Sequence, residues 1–164
     1  MLHFEPTNSD DISTIINWEN NPENKDFIFQ YSVAEHHEVM DSKNKLHLKA
    51  IDNQGVMVGF VILRGLQNPN LSVELKRILI NKKGKNYGKI TLQLLQNLVF
   101  QKLKKHRLWL DVFTDNPRAL HVYKSVGFVE EGIKRECIKS GNNFRSLIIM
   151  SILQQDFKPF KLPS

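Results

Sequence analysis

The residues in this sequence best suited to chemistry form a basic loop between Lys82 and Lys89. An apolar stretch from Leu71 to Ile80, typical of a strand, leads into the loop, and a helical pattern follows at once. Free N–H groups and the dipole at a helix N-terminus favour a bound anion. Gly84 and Gly88 allow positive φ angles, and Asn86 tolerates the same conformation. The loop therefore predicts an anion site, with a basic turn as the equal alternative.

The spacing of the loop excludes two common phosphate-binding motifs. Three residues separate Gly84 from Gly88-Lys89, where a nucleoside-triphosphate loop has four. Ile90 follows Lys89, where that loop has the Ser or Thr that binds magnesium. The Gly-x-Gly-x-x-Gly fingerprint of dinucleotide sites is also absent from the segment. The predicted anion therefore belongs to another class of ligand.

A second segment, from Asp111 to Phe128, has the pattern Asn-x-x-Ala-x-x-x-Tyr-x-x-x-Gly-Phe. Asn116 precedes Pro117, a pair typical of an N-cap followed by the first helical residue. Gly127 is typical of the residue just beyond a helix C-terminus. The segment therefore predicts a strand, a capped turn and a helix.

Together the two segments resemble the GCN5-related N-acetyltransferase (GNAT) family. The run from Lys83 to Gly88 is similar to the family's pyrophosphate loop, Arg/Gln-x-x-Gly-x-Gly/Ala, with Lys83 as the basic residue and Asn86 in place of the first glycine. The run from Asn116 to Phe128 resembles the family's second block at every defined position. The hairpin pattern after Phe128 resembles the branch that acetylates ribosomal-protein N-termini at alanine or serine. The resemblance covers residues 71–153 and is thin before them.

The resemblance implies an α+β, GNAT-like acyl-CoA N-acyltransferase fold, with a splayed central strand in a mixed sheet flanked by helices. It implies acetyl-CoA as cosubstrate and no metal. The backbone of Ile78 and Ile80 would pair with the pantetheine amides, and the N–H of Ile78 or Leu79 would stabilise the oxyanion. The residues that the resemblance implies for acetyl-CoA binding are Ile78, Leu79, Ile80, Lys83, Gly84, Lys85, Asn86, Tyr87, Gly88, Lys89, Asn116, Ala119 and Tyr123.

The implied reaction is direct acetyl transfer to a primary amine without a covalent acyl-enzyme. A lysine-like amine has a pKa of about 10.4 and must lose a proton before it attacks. Glu74 is the candidate base, and a salt-bridged strand glutamate is the equal alternative. Tyr123 occupies the family's general-acid position and would protonate the thiolate of coenzyme A after only mild tuning of the phenol pKa. The N-terminal part, with Trp18 to Asn21 and Phe27 to Tyr31, would shape the acceptor pocket.

The elements that must position these residues can be predicted from periodicity and capping signals. Ser32 and Glu35 form a capping box, and Asn142 lies in a hairpin turn. The predicted order is strand, two helices, three strands, helix, strand, helix and two strands. The predicted strands are 2–4, 46–51, 56–63, 71–80, 107–113, 128–139 and 144–153. The helices begin near 10, 32, 88 and 117, and the third is predicted to extend to about 104. We expect one domain over 1–164, with a core of about 2–154 and a loosely held tail, 155–164.

The composition supports an anionic ligand and an intracellular protein. The net charge is +6 over 164 residues, which suits a polyanionic cofactor, RNA or an acidic protein. The single cysteine, Cys137, cannot form an internal disulfide, and the sequence pattern predicts neither a secretory leader nor a transmembrane run. The six histidines show no metal-ligand spacing. We therefore expect a cytoplasmic protein that does not bind a membrane.

Three functions are compatible with the sequence. The leading one is acetyl-CoA-dependent acetylation of a primary amine, which could belong to a protein N-terminus, a polyamine or a small amine. The second is a noncatalytic acyl-CoA-binding module with the same fold. The third is a basic RNA-associated protein, which ranks last because no aromatic platform accompanies the lysines. Nucleic acid is not an expected partner, and the sequence leaves a monomer and a homodimer equally open.

Overall fold

A computed structural model of the chain describes residues 1–162, which form one mixed seven-stranded sheet with helices on both faces. The strands are β1 (His3–Pro6), β2 (Lys45–Ile51), β3 (Met57–Arg64), β4 (Ser72–Ile80), β5 (Arg107–Phe113), β6 (Val129–Ser140) and β7 (Asn143–Leu153). The helices are α1 (Ile12–Asn20), α2 (Pro22–Lys25), α3 (Val33–Asp41), α4 (Tyr87–Gln96) and α5 (Pro117–Ser125). The strand order is β1-β2-β3-β4-β5-β7-β6. The predicted fold class and mixed sheet are confirmed.

The helices differ from the prediction at two places. The short helix α2 follows α1 at once, because Asn21 accepts a hydrogen bond from the N–H of Glu23 and Pro22 fits the first helical position. The predicted helix from residue 88 to 104 is α-helical only as far as Gln96. A π-helical segment, Asn97–Lys102, then continues it and keeps Val99 and Phe100 in the core.

Local capping signals set the helix termini as predicted. Ser32 and Glu35 form the capping box of α3, with the Glu35 N–H donating to Ser32 Oγ at 3.1 Å. Asn116 Oδ1 accepts from the N–H of Ala119 at 3.3 Å and caps α5. Gly127 has φ = +98°, a conformation that glycine adopts without strain after a helix. The start and end of α5 therefore follow from a few consecutive residues.

The central strands β4 and β5 pair over a short distance and then separate. They are parallel, and they pair only where Ser72–Glu74 faces Arg107–Trp109. Beyond that point β4 stays paired with β3 as far as Ile80, whereas β5 stays paired with β7 as far as Phe113. The facing edges of both strands are therefore unpaired over their second halves, which confirms the splayed central strand.

Each face of the sheet has its own apolar core. On one face, α4 and α5 cover a large cluster that includes Leu75, Leu95 and Leu110. On the other face, α1 and α3 cover a smaller cluster that includes Ile15 and Phe60. Complete burial of such a side chain stabilises the fold by about 1.5–3 kcal/mol. Both cores reach β4, so this strand is held rigidly where it leaves β5.

The described part of the C-terminal tail is attached to the helical layer, which corrects the expectation of a loose tail. The ring of Phe157 lies 5.1 Å from that of Phe100, measured between centroids. The Asn97 side chain donates to the Phe160 carbonyl at 2.7 Å and accepts from the Phe160 N–H at 3.0 Å. The π-helical segment thus provides both an aromatic contact and a hydrogen-bond partner for the tail. The part of the prediction that concerns Pro163 and Ser164 lies outside the described residues.

Candidate active site

A cavity of about 770 Å³ opens where β4 and β5 separate. Its wall includes β4, the loop before α4, the end of β5, α5 and the segment that follows α2. This volume is within the range of small-molecule sites. The predicted site residues that line it are Ile78, Leu79, Ile80, Lys83, Gly84, Asn86, Tyr87, Gly88, Lys89, Asn116, Ala119 and Tyr123.

Two of the predicted site residues, Lys85 and Glu74, are not part of the cavity wall. Lys85 is exposed on the outside of the loop. Glu74 is buried and pairs with Arg64, whose Nε and Nη2 donate to its two carboxylate oxygens. This hydrogen bond is the main cause that raises the pKa of Arg64. Glu74 lines a separate pocket of about 250 Å³ beside Trp109. Its arrangement is thus the salt-bridged alternative, and its role as the base stays a prediction.

The loop before α4 contains three consecutive residues with positive φ. The angles are +87° at Gly84, +55° at Lys85 and +56° at Asn86. This left-handed turn leads directly into the N-terminus of α4, whose free N–H groups and dipole attract anions. Gly84 and Asn86 have the predicted conformation. Gly88, predicted to use positive φ, lies instead in the first turn of α4, where a Cβ would have no atom within 4 Å.

The lysines of this loop have different tasks. Lys82 donates to Asp52 at 3.0 Å, and this hydrogen bond raises the pKa of Lys82. It therefore anchors the loop to the turn after β2. Lys83 and Lys89 line the cavity, and within residues 1–162 neither forms an ion pair. These two lysines are available to a negatively charged ligand.

Tyr123 faces the cavity from α5, with its ring 5.8 Å from that of Phe128. Burial raises the pKa of Tyr123 well above its usual value, and the charge of Asp111 raises it further. The phenol therefore stays protonated and can donate. The sequence analysis expected only a mild adjustment of the Tyr123 pKa toward that of a thiol, which is about 8.5. The structure instead raises the Tyr123 pKa and so increases the difference between the two values. Tyr123 is therefore suited to donate a hydrogen bond to a developing thiolate and to release its proton late.

The other end of the cavity is aromatic and was not predicted in detail. The rings of Phe29 and Phe113 lie 5.8 Å apart, and Lys76 Nζ lies 5.3 Å from the Phe29 centroid. The Arg145 guanidinium lies 3.6 Å from the Phe113 centroid and pairs with Asp115 at 2.7 Å. The sequence analysis indicated this end only through the aromatic run from Phe27 to Tyr31, which was expected to shape the acceptor pocket. The residues that contact Phe29, which are Lys76 and Phe113, lie far from it in the sequence.

Two carboxylates, Asp111 and Glu23, line the cavity. Neither forms an ion pair within the part of the chain that the structure describes. Asp111 is close enough to act electrostatically on both Lys76 and Tyr123. A lone carboxylate in the apolar strand pattern from Leu108 to Phe113 was a usable signal for this residue. In residues 1–162 no group of three His, Cys, Asp or Glu residues could hold a metal ion.

A buried polar network lies behind the β4 wall. Glu19, predicted to shape the pocket, is fully buried and bonds to Arg77 and His36. His36 Nδ1 lies 2.9 Å from His47 Nε2, and His47 Nδ1 lies 2.9 Å from Thr7 Oγ1. Burial lowers the pKa of His47 to about 3, so this ring is neutral. Because Arg77 lies in β4, the network fixes the strand that forms the cavity wall.

Comparison with known proteins identifies the family. The profile described as "Acetyltransferase (GNAT) domain" matches residues 1–129, which is more than half of the chain. The chain belongs to the GNAT acetyltransferase family. Together with the cavity, this identifies an N-acetyltransferase that uses acetyl-CoA as cosubstrate.

Similar GNAT proteins include enzymes named for spermidine. The chain is 28% identical to spermidine N(1)-acetyltransferase of Vibrio cholerae over 142 residues, which cover 79% of this chain and 82% of that protein. A crystal structure of the Vibrio cholerae spermidine N-acetyltransferase with CoA and spermine superposes with a TM-score of 0.85. It has 25% sequence identity and covers 95% of this chain and 97% of that one. A point mutant of the Vibrio cholerae enzyme, 24% identical, has a TM-score of 0.83 over 95% of each chain and supports the fold.

The cavity of this GNAT protein fits the chemistry of acetyl-CoA at three points. The N–H groups around Gly84–Asn86 and two free lysines suit a pyrophosphate. The unpaired edge of β4 suits the amides of pantetheine. A protonated phenol at Tyr123 suits a leaving thiolate.

Within residues 1–162, no helix is both long and apolar enough to cross a membrane.

Proposed function

We propose that this GNAT enzyme transfers the acetyl group of acetyl-CoA directly to a primary amine of a polyamine. The observation that carries the proposal is one cavity lined both by the loop lysines Lys83 and Lys89 and by the unpaired carboxylates Asp111 and Glu23. Carboxylates are the groups that bind ammonium ions. The similarity to spermidine acetyltransferases supports the same class of acceptor.

In this proposal the main chain provides most of the cosubstrate site. The N–H groups from Lys83 to Gly88 bind the pyrophosphate, with Lys83 and Lys89 as direct cations and Lys85 as a more distant charge. Ile78 and Ile80 pair through their backbones with pantetheine. The N–H of Ile78 or Leu79 stabilises the tetrahedral oxyanion. Asn116 and Ala119 border the arm of the cosubstrate at the start of α5.

The catalytic step requires an uncharged amine and a protonated leaving group. A base removes a proton from the ammonium, and Tyr123 donates to the departing sulfur. The exposed Cys137 lies in β6 and is not part of the cavity wall. This position supports direct transfer rather than an acylated cysteine. The reducing compartment implied by a single cysteine supports a cytoplasmic enzyme.

A protein N-terminus is the second candidate acceptor. The resemblance of the C-terminal hairpin to the branch that acetylates ribosomal proteins supports it. The cavity also contains Lys76, a cation beside Asp111 that would repel the second charge of a polyamine. An N-terminal peptide with a neutral or acidic continuation would avoid that repulsion.

An acceptor panel tests the proposal. The purified enzyme and acetyl-CoA would be assayed for CoA release with spermidine, spermine, putrescine and peptides that begin with Ala or Ser. We expect kcat/KM to be at least about tenfold higher for spermidine or spermine than for the peptides, which is about 1.4 kcal/mol of discrimination. Mass spectrometry of the product would locate the acetyl group. A preference for the peptides would contradict the polyamine proposal and support the second candidate.

A further inference from the structure

Asp111 lies at the point where the two central strands part. The last residue of β5 that pairs with β4 is Trp109, two positions earlier. Leu110 and Val112, its neighbours in the strand, are buried in the core under α4 and α5. Since side chains alternate along a strand, Asp111 points to the opposite face, where Phe29 packs on Phe113. Asp111 is half-buried and lines the cavity.

The charged and titratable groups around Asp111 come from three elements. Lys76 on β4 has a pKa lowered mainly by burial, and Asp111 acts against that change. Arg64 on β3 and Glu74 on β4 are nearby but paired with each other. Tyr123 on α5 has a pKa that is raised first by burial and then by Asp111. Asp111 is therefore electrostatically close to the proposed general acid while it faces the acceptor end of the cavity.

A register shift in β4 contributes to this geometry. Leu63 faces Leu75 and Ile62 faces Arg77, so Lys76 is an extra residue opposite the β3 ladder. The bulge allows Arg77 to reach the buried Glu19, while Lys76 remains at the cavity. The acceptor end is thus bordered by Lys76 from one separated strand and Asp111 from the other.

We propose that Asp111 is the catalytic base that accepts a proton from the acceptor amine. This inference rests on the proposed transfer to a primary amine. Asp111 differs from Glu74 in the feature that matters for a base, because its carboxylate has no hydrogen bond or ion pair within residues 1–162. Both oxygens of Glu74 accept from Arg64, and Glu74 lines the other pocket.

The protons and electrons of the step balance as follows. Asp111 takes one proton from the ammonium and later releases it to solvent. The amine lone pair forms the C–N bond to the acetyl carbon, and the C–S bond breaks with its electron pair on sulfur. Tyr123 donates its proton to that sulfur, and the second proton of the nitrogen restores the phenol. The products are the acetylated amine, CoA thiol and one proton in solution.

Asp111→Asn tests the inference because it keeps the shape of the side chain and removes its basicity. We expect kcat/KM for the best amine to fall about 10²–10⁴-fold, while the Kd of acetyl-CoA stays within about twofold. The fall of kcat/KM at low pH that marks an essential base should be lost in this variant. For Asp111→Ala, added formate or acetate should restore part of the rate, which a merely structural residue would not permit.

One further variant serves as a control, and another tests the competing base. Asp41→Asn removes an exposed carboxylate at the end of α3 and should leave kcat/KM unchanged. Glu74→Gln removes half of the Arg64 pair and should lower Tm, while the folded enzyme keeps kcat within about threefold. Loss of turnover in Glu74→Gln with retention in Asp111→Asn would overturn the inference and support Glu74 as the base.

The outcomes also separate this inference from the proposed function. A wild-type enzyme that acetylates peptides instead of polyamines would overturn the acceptor class. Asp111→Asn would then be measured with the peptide, and the same loss would support the base. A wild-type enzyme that binds acetyl-CoA and acetylates no amine would overturn both.

Discussion

The two sides of the split between β4 and β5 are built in different ways. The cosubstrate side depends on consecutive residues, since the loop has three successive positive φ angles and leads into α4. The proposed acceptor side depends on residues that are far apart in sequence, since Phe29, Lys76 and Asp111 all line it. Arg145 packs from outside the cavity wall on the ring of Phe113. Behind it, Glu19 joins Arg77 across 58 positions.

Because one side depends on main-chain groups and the other on side chains, we expect the two sides to differ in how well they tolerate amino-acid substitutions. Main-chain N–H groups remain when a side chain is replaced, so we expect anion binding by this loop to depend mainly on backbone conformation. The acceptor side depends on side-chain groups, and each of these is lost when its residue is replaced. We therefore expect large effects from single replacements in the catalytic and buried groups and small effects from the loop lysines.

Tyr123→Phe should have the largest effect, since it removes the hydroxyl that we propose donates to the sulfur of the cosubstrate. We expect kcat to fall about 10²–10⁴-fold with Tm and the Kd of acetyl-CoA nearly unchanged. Steady-state kinetics and calorimetric binding would measure these quantities. Binding without turnover by the wild-type enzyme on every amine would instead support the noncatalytic module.

Glu19→Ala should cause the largest loss of stability. It leaves the Arg77 guanidinium buried without its partner, which typically costs about 3–5 kcal/mol. Denaturant unfolding would measure the change. The matched control is Glu38→Ala, which breaks the pair with Lys45 at 2.8 Å, where Glu38 is 61% exposed, and should cost less than about 1 kcal/mol. Equal losses in both variants would contradict the contrast between the buried network and the exposed surface.

The buried network should also make the acceptor side sensitive to acid. Folding lowers the pKa of His47 from 6.5 to about 3, so the unfolded chain binds this proton first as the pH falls. The contribution of His47 is present above pH 6.5 and decreases by roughly 1.4 kcal/mol per pH unit down to the folded pKa. Unfolding free energies at several pH values should therefore show a flatter dependence in His47→Gln than in the wild type. Parallel curves would show that His47 takes no part.

Lys83→Ala and Lys89→Ala should have the smallest effects. Each removes one exposed cation next to a main-chain anion site, so we expect the Kd of acetyl-CoA to rise about 3–10-fold at low salt. The difference from wild type should shrink as salt screens the charge, whereas main-chain contacts persist. Lys102→Ala, an exposed lysine of the π-helical segment, is the control. A loss of about 100-fold or more would show that the side chains, rather than the backbone, bind the anion.

Features that depend on neighbouring residues were predicted correctly from the sequence, whereas features that depend on distant contacts were not. The bounds of β5, the caps of α3 and α5 and the positive φ at Asn86 follow from neighbouring residues, and the structure has them as expected. No secondary structure was predicted for the segment from Phe27 to Tyr31, because no regular hydrophobic period constrains it. The attachment of Phe157 and Phe160 was missed because it depends on a surface formed by the π-helical segment.

The two carboxylates of the central strands show most clearly what cannot be predicted from the sequence. Glu74 and Asp111 both look like lone acids in apolar strands. They differ in the folded protein because Arg64 forms an ion pair with Glu74, whereas the separation of β4 from β5 places Asp111 in a cavity. No local pattern contains either contact.

The sequence by itself determined the order of the strands and of the longer helices, the glycine-containing basic loop before α4 and the place of Tyr123, because hydrophobic period, capping and glycine content act within a few residues. The tertiary structure alone decided which acids are paired, where the acceptor end lies and why Arg77 is buried. Those features depend on contacts between side chains that are dozens of residues apart, and such contacts exist only once the sheet has formed and its two central strands have separated.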